Sequence, residues 1–327
     1  MCIRDSPKTD VNQIINLFVN PLSNNKVIKF TNIKKFKAKN FHNVCIDLSK
    51  NAKMIPSLVF KKINKNFKSF KKQFHFLNSR RFIALPHRGA HFFSKDNSDQ
   101  YLENTHSAFS KAVELGFTHI ETDVHSSKDS VPYVMHDPNL KRLTGENIAL
   151  KELTSKDIEK IRLKGSHVIP RLEETLEEFS SICFNIDAKS WEVTEPLAQV
   201  INKTKTFDRI CIASFNDSRI SYIRKLIKGS ICFSAGTFKS LSIIMSCRLG
   251  IISNINVPCL QLPLFYSGIK ILNRSIIERI KKTGAKIIVW VINKESHIME
   301  LIDCGVDGLI IDDCLLLKKI LIQKGLW

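Results

Sequence analysis

From Phe82 to the C-terminus, short apolar runs alternate with stretches in which apolar residues recur every three or four positions. Residues 82–86, 119–125, 131–136, 181–188, 209–215, 231–235, 259–264, 286–292 and 308–312 have the pattern of strands. Between them the spacing predicts helices, among them 105–115, ended by Gly116, and 273–283, ended by Gly284. Strand-then-helix repetition over about 240 residues predicts an α/β fold with a parallel sheet, and its length suits a single-domain (β/α)8 barrel of the TIM type. Nine runs are one more than such a barrel needs. Only residues 126–130 join the second run to the third, too few for a crossover helix, so that link is expected to be a hairpin.

The pattern upstream is different. Phe60, Ile63, Phe67, Phe70 and Phe74 share one helical face, and Lys61, Lys62, Lys65, Lys68, Lys71 and Lys72 crowd the rest. Residues 54–80 are therefore expected to be a basic amphipathic helix and linker. Its 57–76 stretch either caps the adjacent domain or lies on an anionic membrane surface. Residues 1–53, with their foreign-looking opening Met-Cys-Ile-Arg-Asp-Ser, are expected to be disordered or artefactual, with Met54 as the natural start. The barrel domain is then 81–327.

Charge sharpens this division. Residues 1–80 hold 17 Lys and Arg against three acids, so they carry +14 of the net +19. The remainder is nearly balanced, and no recognition motif accompanies the basic segment, so no nucleic-acid partner is expected. Nine cysteines without a Cys-x-x-Cys pair argue against a zinc ribbon or disulfide scaffold and suit a reducing, cytoplasmic setting, at most peripheral to a membrane. The best candidate for a membrane span, 241–252, is short and contains Arg248.

The reactive side chains cluster at strand ends, where barrels of this type build their sites. His87 and Arg88 follow the first run, and His136 closes the third. Glu121 and Asp123 lie two apart on the second, facing the barrel interior, as does Asp187 on the fourth, with Lys189 beyond it. His119 and His125 share that parity. Asp137, before Pro138, has the look of a turn residue. Three inward carboxylates would each cost several kcal/mol if left uncompensated. A divalent cation, Mg²⁺ or Ca²⁺, held by oxygen ligands resolves that cost. Histidines, Arg and Lys beside it suit general acid–base attack on a small anionic substrate.

The ordered series His87-Arg88-Gly89, Glu103-Asn104-Thr105, Ile120-Glu121-Thr122-Asp123-Val124 and His136-Asp137 resembles the signature of the glycerophosphodiester phosphodiesterases. So do Asn185-Ile186-Asp187-Ala188-Lys189, Ser214-Phe215, Val289-Trp290-Val291-Ile292-Asn293 and the segment from Gly305 to Asp312, so that the likeness spans 82–317. It implies metal-dependent hydrolysis of a glycerophosphodiester to an alcohol and sn-glycerol 3-phosphate. It also implies His87 and His136 as the catalytic pair, Arg88 and Lys189 on the phosphate, Glu121, Asp123 and Asp187 on the metal, and Glu103 in support. Ala90, Asp187, Ser130 and Asp313-Cys314 depart from the family's usual residues without removing a reacting group. Two alternatives stay open: a lysophospholipase-D-like activity on lysophospholipids, and a non-catalytic phosphate- or lipid-binding barrel.

Overall fold

The computed structural model describes residues 74–78, 81–91, 101–248, 256–266 and 268–327. All nine extended runs are strands: β1 Ile83–Pro86, β2 His119–Ser126, β3 Pro132–Val134, β4 Cys183–Ala188, β5 Ile210–Ala213, β6 Cys232–Phe233, β7 Cys259–Pro263, β10 Lys286–Trp290 and β11 Gly308–Ile311. Two more, β8 Phe265–Tyr266 and β9 Ile269–Lys270, form a small antiparallel ribbon after β7.

Eight of these strands make the barrel. The parallel orders β1-β11-β10-β7 and β2-β4-β5-β6 are joined at both seams by parallel bridges, His87 to Glu121 and Ser234 to Cys259. The ninth run, β3, is the expected hairpin: it pairs antiparallel with β2 and stays outside the ring. Gly308 opens β11 because the strands approach closely there; a Cβ would lie 2.5 Å from the Ile83 carbonyl oxygen.

The helices that cross from strand to strand are α1 His106–Glu114, α4 Leu172–Glu178, α5 Thr194–Thr204, α6 Asp217–Leu226, α7 Thr237–Arg248, α8 Arg274–Lys281 and α9 Glu295–Asp303. The last helix, α10 Cys314–Gln323, follows β11. Helix α1 is capped by Thr105, whose hydroxyl accepts the Ala108 N–H, and Asn273 caps α8 in the same way. Outward strand residues such as Ile120, Val124, Phe184 and Ile186 pack with these helices into the main core. Two short helices, α2 Lys141–Thr144 and α3 Ser155–Ile158, lie between β3 and β4. There Tyr133, Met135, Leu140, Leu150 and Ile158 make a separate small core.

The barrel floor corrects one expectation. Most of the stretch expected to be helical, 57–76, lies outside the described residues, but its end does not. Phe74 is extended, and His75–Leu77 form a 3-10 turn. Phe76 is fully buried beneath the strands, its N–H donating to the Asp208 carbonyl at 3.1 Å and its carbonyl accepting from His119 Nε2 at 2.9 Å. The barrel's open apolar end takes the rings of Phe74 and Phe76, and burying them there prevails over a helix that reaches residue 76. The expected segment 1–53 lies outside the described residues.

Candidate active site

The mouth opposite Phe76 gathers the charged residues. His87, Arg88 and Gly89 form the turn after β1. Arg88 has φ 61° and Gly89 φ 82°, and a Cβ on Gly89 would lie 2.9 Å from the Ala108 backbone. Ala90, one of the departures from the usual sequence, is buried there with its N–H on the Ala108 carbonyl. A left-handed Arg is an uncommon conformation, and here the backbone is held on both sides. Its N–H donates to the Glu121 carbonyl at 2.9 Å, and its carbonyl accepts from Asn104 N–H at 2.9 Å. Asn104, also left-handed with φ 57°, donates its side-chain amide to Asp123 Oδ2 at 3.0 Å and accepts from Thr122.

Strand register places the carboxylates. Asp123 lies directly beside Asp187 across β2 and β4, and Glu121 lies one inward step below Asp123. All three are buried. Lys189 Nζ sits 2.8 Å from both Asp123 Oδ1 and Asp187 Oδ2, and Arg88 Nε is 3.3 Å from Asp123 Oδ2. Burial works against each of these charges. The neighbouring Lys189 and Arg88 nevertheless hold the Asp123 carboxyl well below its usual range. Glu121 goes the other way: burial first, then the Asp123 charge, push its carboxyl up.

Each candidate catalytic histidine is oriented by a carboxylate. His87 Nδ1 donates to Asp312 Oδ1 at 2.6 Å, and the other oxygen of Asp312 accepts from Asn293. His87 Nε2 lies 3.9 Å from Glu121 Oε2. Burial lowers the His87 pKa to about 4, against the raising effect of the Asp312 hydrogen bond. His136 Nδ1 donates to Asp137 Oδ1 at 2.7 Å, and Asp137 Oδ2 accepts from Arg142 Nε at 2.6 Å. Arg142 also binds both oxygens of Glu103, which in turn accepts from Arg88 at 2.8 Å. A hydrogen bond from His136 to Asp137 therefore joins a continuous chain of ion pairs through Arg142, Glu103 and Arg88 to Asp123.

His87, Arg88, Glu103, Glu121, Asp123, His136, Asp187 and Lys189 thus lie in or beside one cluster. Three contributors were missed: Asp312, Arg142 and the orienting role of Asp137. His119 and His125 do not join the pair. His119 is at the floor, and His125 donates through Nε2 to the His136 carbonyl at 3.0 Å, behind the site. Among the cluster's oxygens, Asp187 Oδ1 is buried without a hydrogen-bond donor. That orphaned atom, the raised Glu121 carboxyl and an all-oxygen donor set fit a hard divalent cation held among Glu121, Asp123 and Asp187.

Known proteins share this fold and much of this sequence. A phosphodiesterase of Oleispira antarctica, solved with its product sn-glycerol-3-phosphate, superposes with a TM-score of 0.60 at 20% identity, over 75% of this chain and 99% of its own. A lysophospholipase D of Homo sapiens is 24% identical over 278 residues, covering 73% of this chain and 86% of the relative. The probable glycerophosphodiester phosphodiesterase 2 of Mycobacterium tuberculosis is 30% identical over 250 residues, covering 75% of this chain and 92% of that protein. Residues 87–316, from His87 just after β1 to the start of α10, match the glycerophosphoryl diester phosphodiesterase family, and the chain belongs to that family of enzymes.

Proposed function

We propose that the protein hydrolyses glycerophosphodiesters to an alcohol and sn-glycerol 3-phosphate, with His87 and His136 as its proton-transfer pair. One observation carries this reading: each imidazole is anchored through Nδ1 by its own carboxylate, at the same mouth as the acidic cluster. With Nδ1–H donated, Nε2 is the atom that exchanges the proton: its lone pair accepts in the neutral ring that acts as base, and its N–H gives in the protonated ring that acts as acid. One ring accepts the proton of the attacking hydroxyl, and the other protonates the departing alcohol. Arg88 and Lys189 bring two positive charges to where the diester's anionic oxygens bind, and Glu103 keeps Arg88 in place. A divalent cation on Glu121, Asp123 and Asp187 supplies, when bound, neutralisation of phosphoryl charge and a lowered pKa for a coordinated hydroxyl. The sn-glycerol-3-phosphate held by the Oleispira antarctica phosphodiesterase supports the choice of product.

A second reading, action on lysophospholipids, is favoured by an aromatic surface close after β4. Trp191 is 47% exposed and packs against Tyr222 with ring centroids 6.1 Å apart, beside Arg219. The relative named lysophospholipase D supports it as well. Assays of the purified protein with glycerophosphocholine and with lysophosphatidylcholine, each with and without EDTA, separate the two. The expected result is release of choline and sn-glycerol 3-phosphate from glycerophosphocholine, abolished by EDTA and restored by Mg²⁺ or Ca²⁺. Faster turnover of lysophosphatidylcholine would favour the second reading, and no release from either would refute both.

A further inference from the structure

Below the acidic cluster, the barrel interior holds a second group of chemistry-bearing side chains that the phosphodiesterase reading does not use. Cys211 on β5, Cys232 on β6 and Cys259 on β7 come from three consecutive parallel strands, and their sulfurs all lie within 4.8 Å of one another. Register produces the convergence. Cys211 pairs with Cys232 across β5 and β6, and the bridge from Ser234 to Cys259 carries the level on to β7. All three are fully buried, and the Cys211 and Cys259 sulfurs are 3.8 Å apart. Buried cysteine is commonly inert filler. Three sulfurs meeting at one point differ from filler: metal–sulfur bonds of about 2.3 Å set the sulfurs of a tetrahedral or trigonal centre about 3.8–4.0 Å apart.

We propose that Cys211, Cys232 and Cys259 form a three-sulfur site for a soft monovalent cation, Cu(I), inside the barrel. The donors are all sulfur, which selects a soft ion over Mg²⁺ or Ca²⁺. Zinc takes four ligands in a closed protein site, and among the described residues only these three bring ligand atoms within 4.8 Å of one another, with Cys183 of the same buried cluster outside the group. Gln261, the next inward residue on β7, turns its amide N–H towards Cys211 Sγ at 3.8 Å, and its oxygen accepts from Asn185. The Ser234 hydroxyl is engaged as well, accepting from the Gln261 N–H and donating to the Ala235 carbonyl. The cysteines pack in one cluster with Phe76, Leu85, Cys183, Ile288 and Ile310. Each thiol that binds Cu(I) gives its proton to solvent, so the three sulfurs hold the ion as thiolates, and no electron is transferred.

The test is the metal content and the metal's surroundings in the full chain, expressed in copper-supplemented medium and purified without oxygen. Elemental analysis is expected to find about one copper per chain, and X-ray absorption a first shell of three sulfurs. The variant carrying Cys211→Ala, Cys232→Ala and Cys259→Ala together should lose that copper. The other cysteines remain in both proteins, so the difference reports on the trio alone. Copper in the unaltered protein no higher than in the variant, zinc in a four-ligand shell, or fewer than three sulfurs around copper would each overturn the proposal. The absorption result is read on the unaltered chain and stands even if the variant fails to fold.

Discussion

The ring of His87 is set by a residue 225 positions away, since Asp312 takes its Nδ1 proton and is itself fixed by Asn293. Asp312→Asn keeps the shape and removes the charge. Burial already lowers His87 to about 4, and Asp312 is the main group raising it, so the variant's imidazole should titrate lower still. Turnover should fall on the order of 10–100-fold. Nuclear magnetic resonance titration of the ring checks the first effect, and an unchanged curve would disconnect Asp312 from His87. Asp123→Asn should collapse activity and recover partly at high divalent concentration, because it neutralises an inward carboxylate beside Asp187. Calorimetry showing undiminished cation affinity would exclude Asp123 as a ligand. Strand parity alone put Glu121, Asp123 and Asp187 on the inward face. Asp312 could not be found that way, because His87 is brought near it only by barrel closure, and Arg142 could not because its partner Glu103 lies 39 positions away. Asp137 was legible as a residue but not in its role, since its hydrogen bonds to His136 and Arg142 look like turn chemistry until Arg142 is placed.

At the scale of elements, the floor turn His75–Leu77 is the piece whose part in stability is most open to test. Phe76→Ala should destabilise the fold by about 3–5 kcal/mol, as truncation of a buried aromatic does, measurable by denaturant unfolding. The floor also makes stability depend on pH. Burial lowers His119 from 6.5 to about 4, against its hydrogen bond to the Phe76 carbonyl. Between those values the unfolded chain binds a proton that the folded chain does not, so stability should rise as pH increases from about 4 to 6.5 and then level off. His87 shares that window, so His119→Gln should flatten the rise without abolishing it. Thermal melts across the range check this, and an unaltered slope would contradict it. The nine runs were legible because each is an apolar stretch bounded by polar or turn residues. The β8–β9 ribbon was not, its strands being two residues each. The floor turn was misread because helical spacing of aromatics does not show that a barrel end is waiting to receive them.

For the whole molecule, eight strand–helix units close a ring that has Phe76 at one end and the His87–His136 site at the other. A chain beginning at Met54 keeps that turn and every proposed catalytic residue, so its melting temperature and turnover should match those of the full chain. A large loss of either would show that residues 1–53 pack on the barrel. The ring as a whole was legible from periodicity and length, whereas the network binding its mouth together depends on long-range contacts that periodicity does not encode. The central claim is that the mouth works as one catalytic unit on a glycerophosphodiester. The most direct measurement is the rate of sn-glycerol 3-phosphate release from glycerophosphocholine by the unaltered protein, His87→Ala, His136→Ala and the double variant, with Mg²⁺ present. Each single variant should be slower by on the order of 10²–10⁴, and the double variant little slower than either. Single variants as fast as the unaltered protein, or a double variant slower by the full product of the two losses, would contradict it.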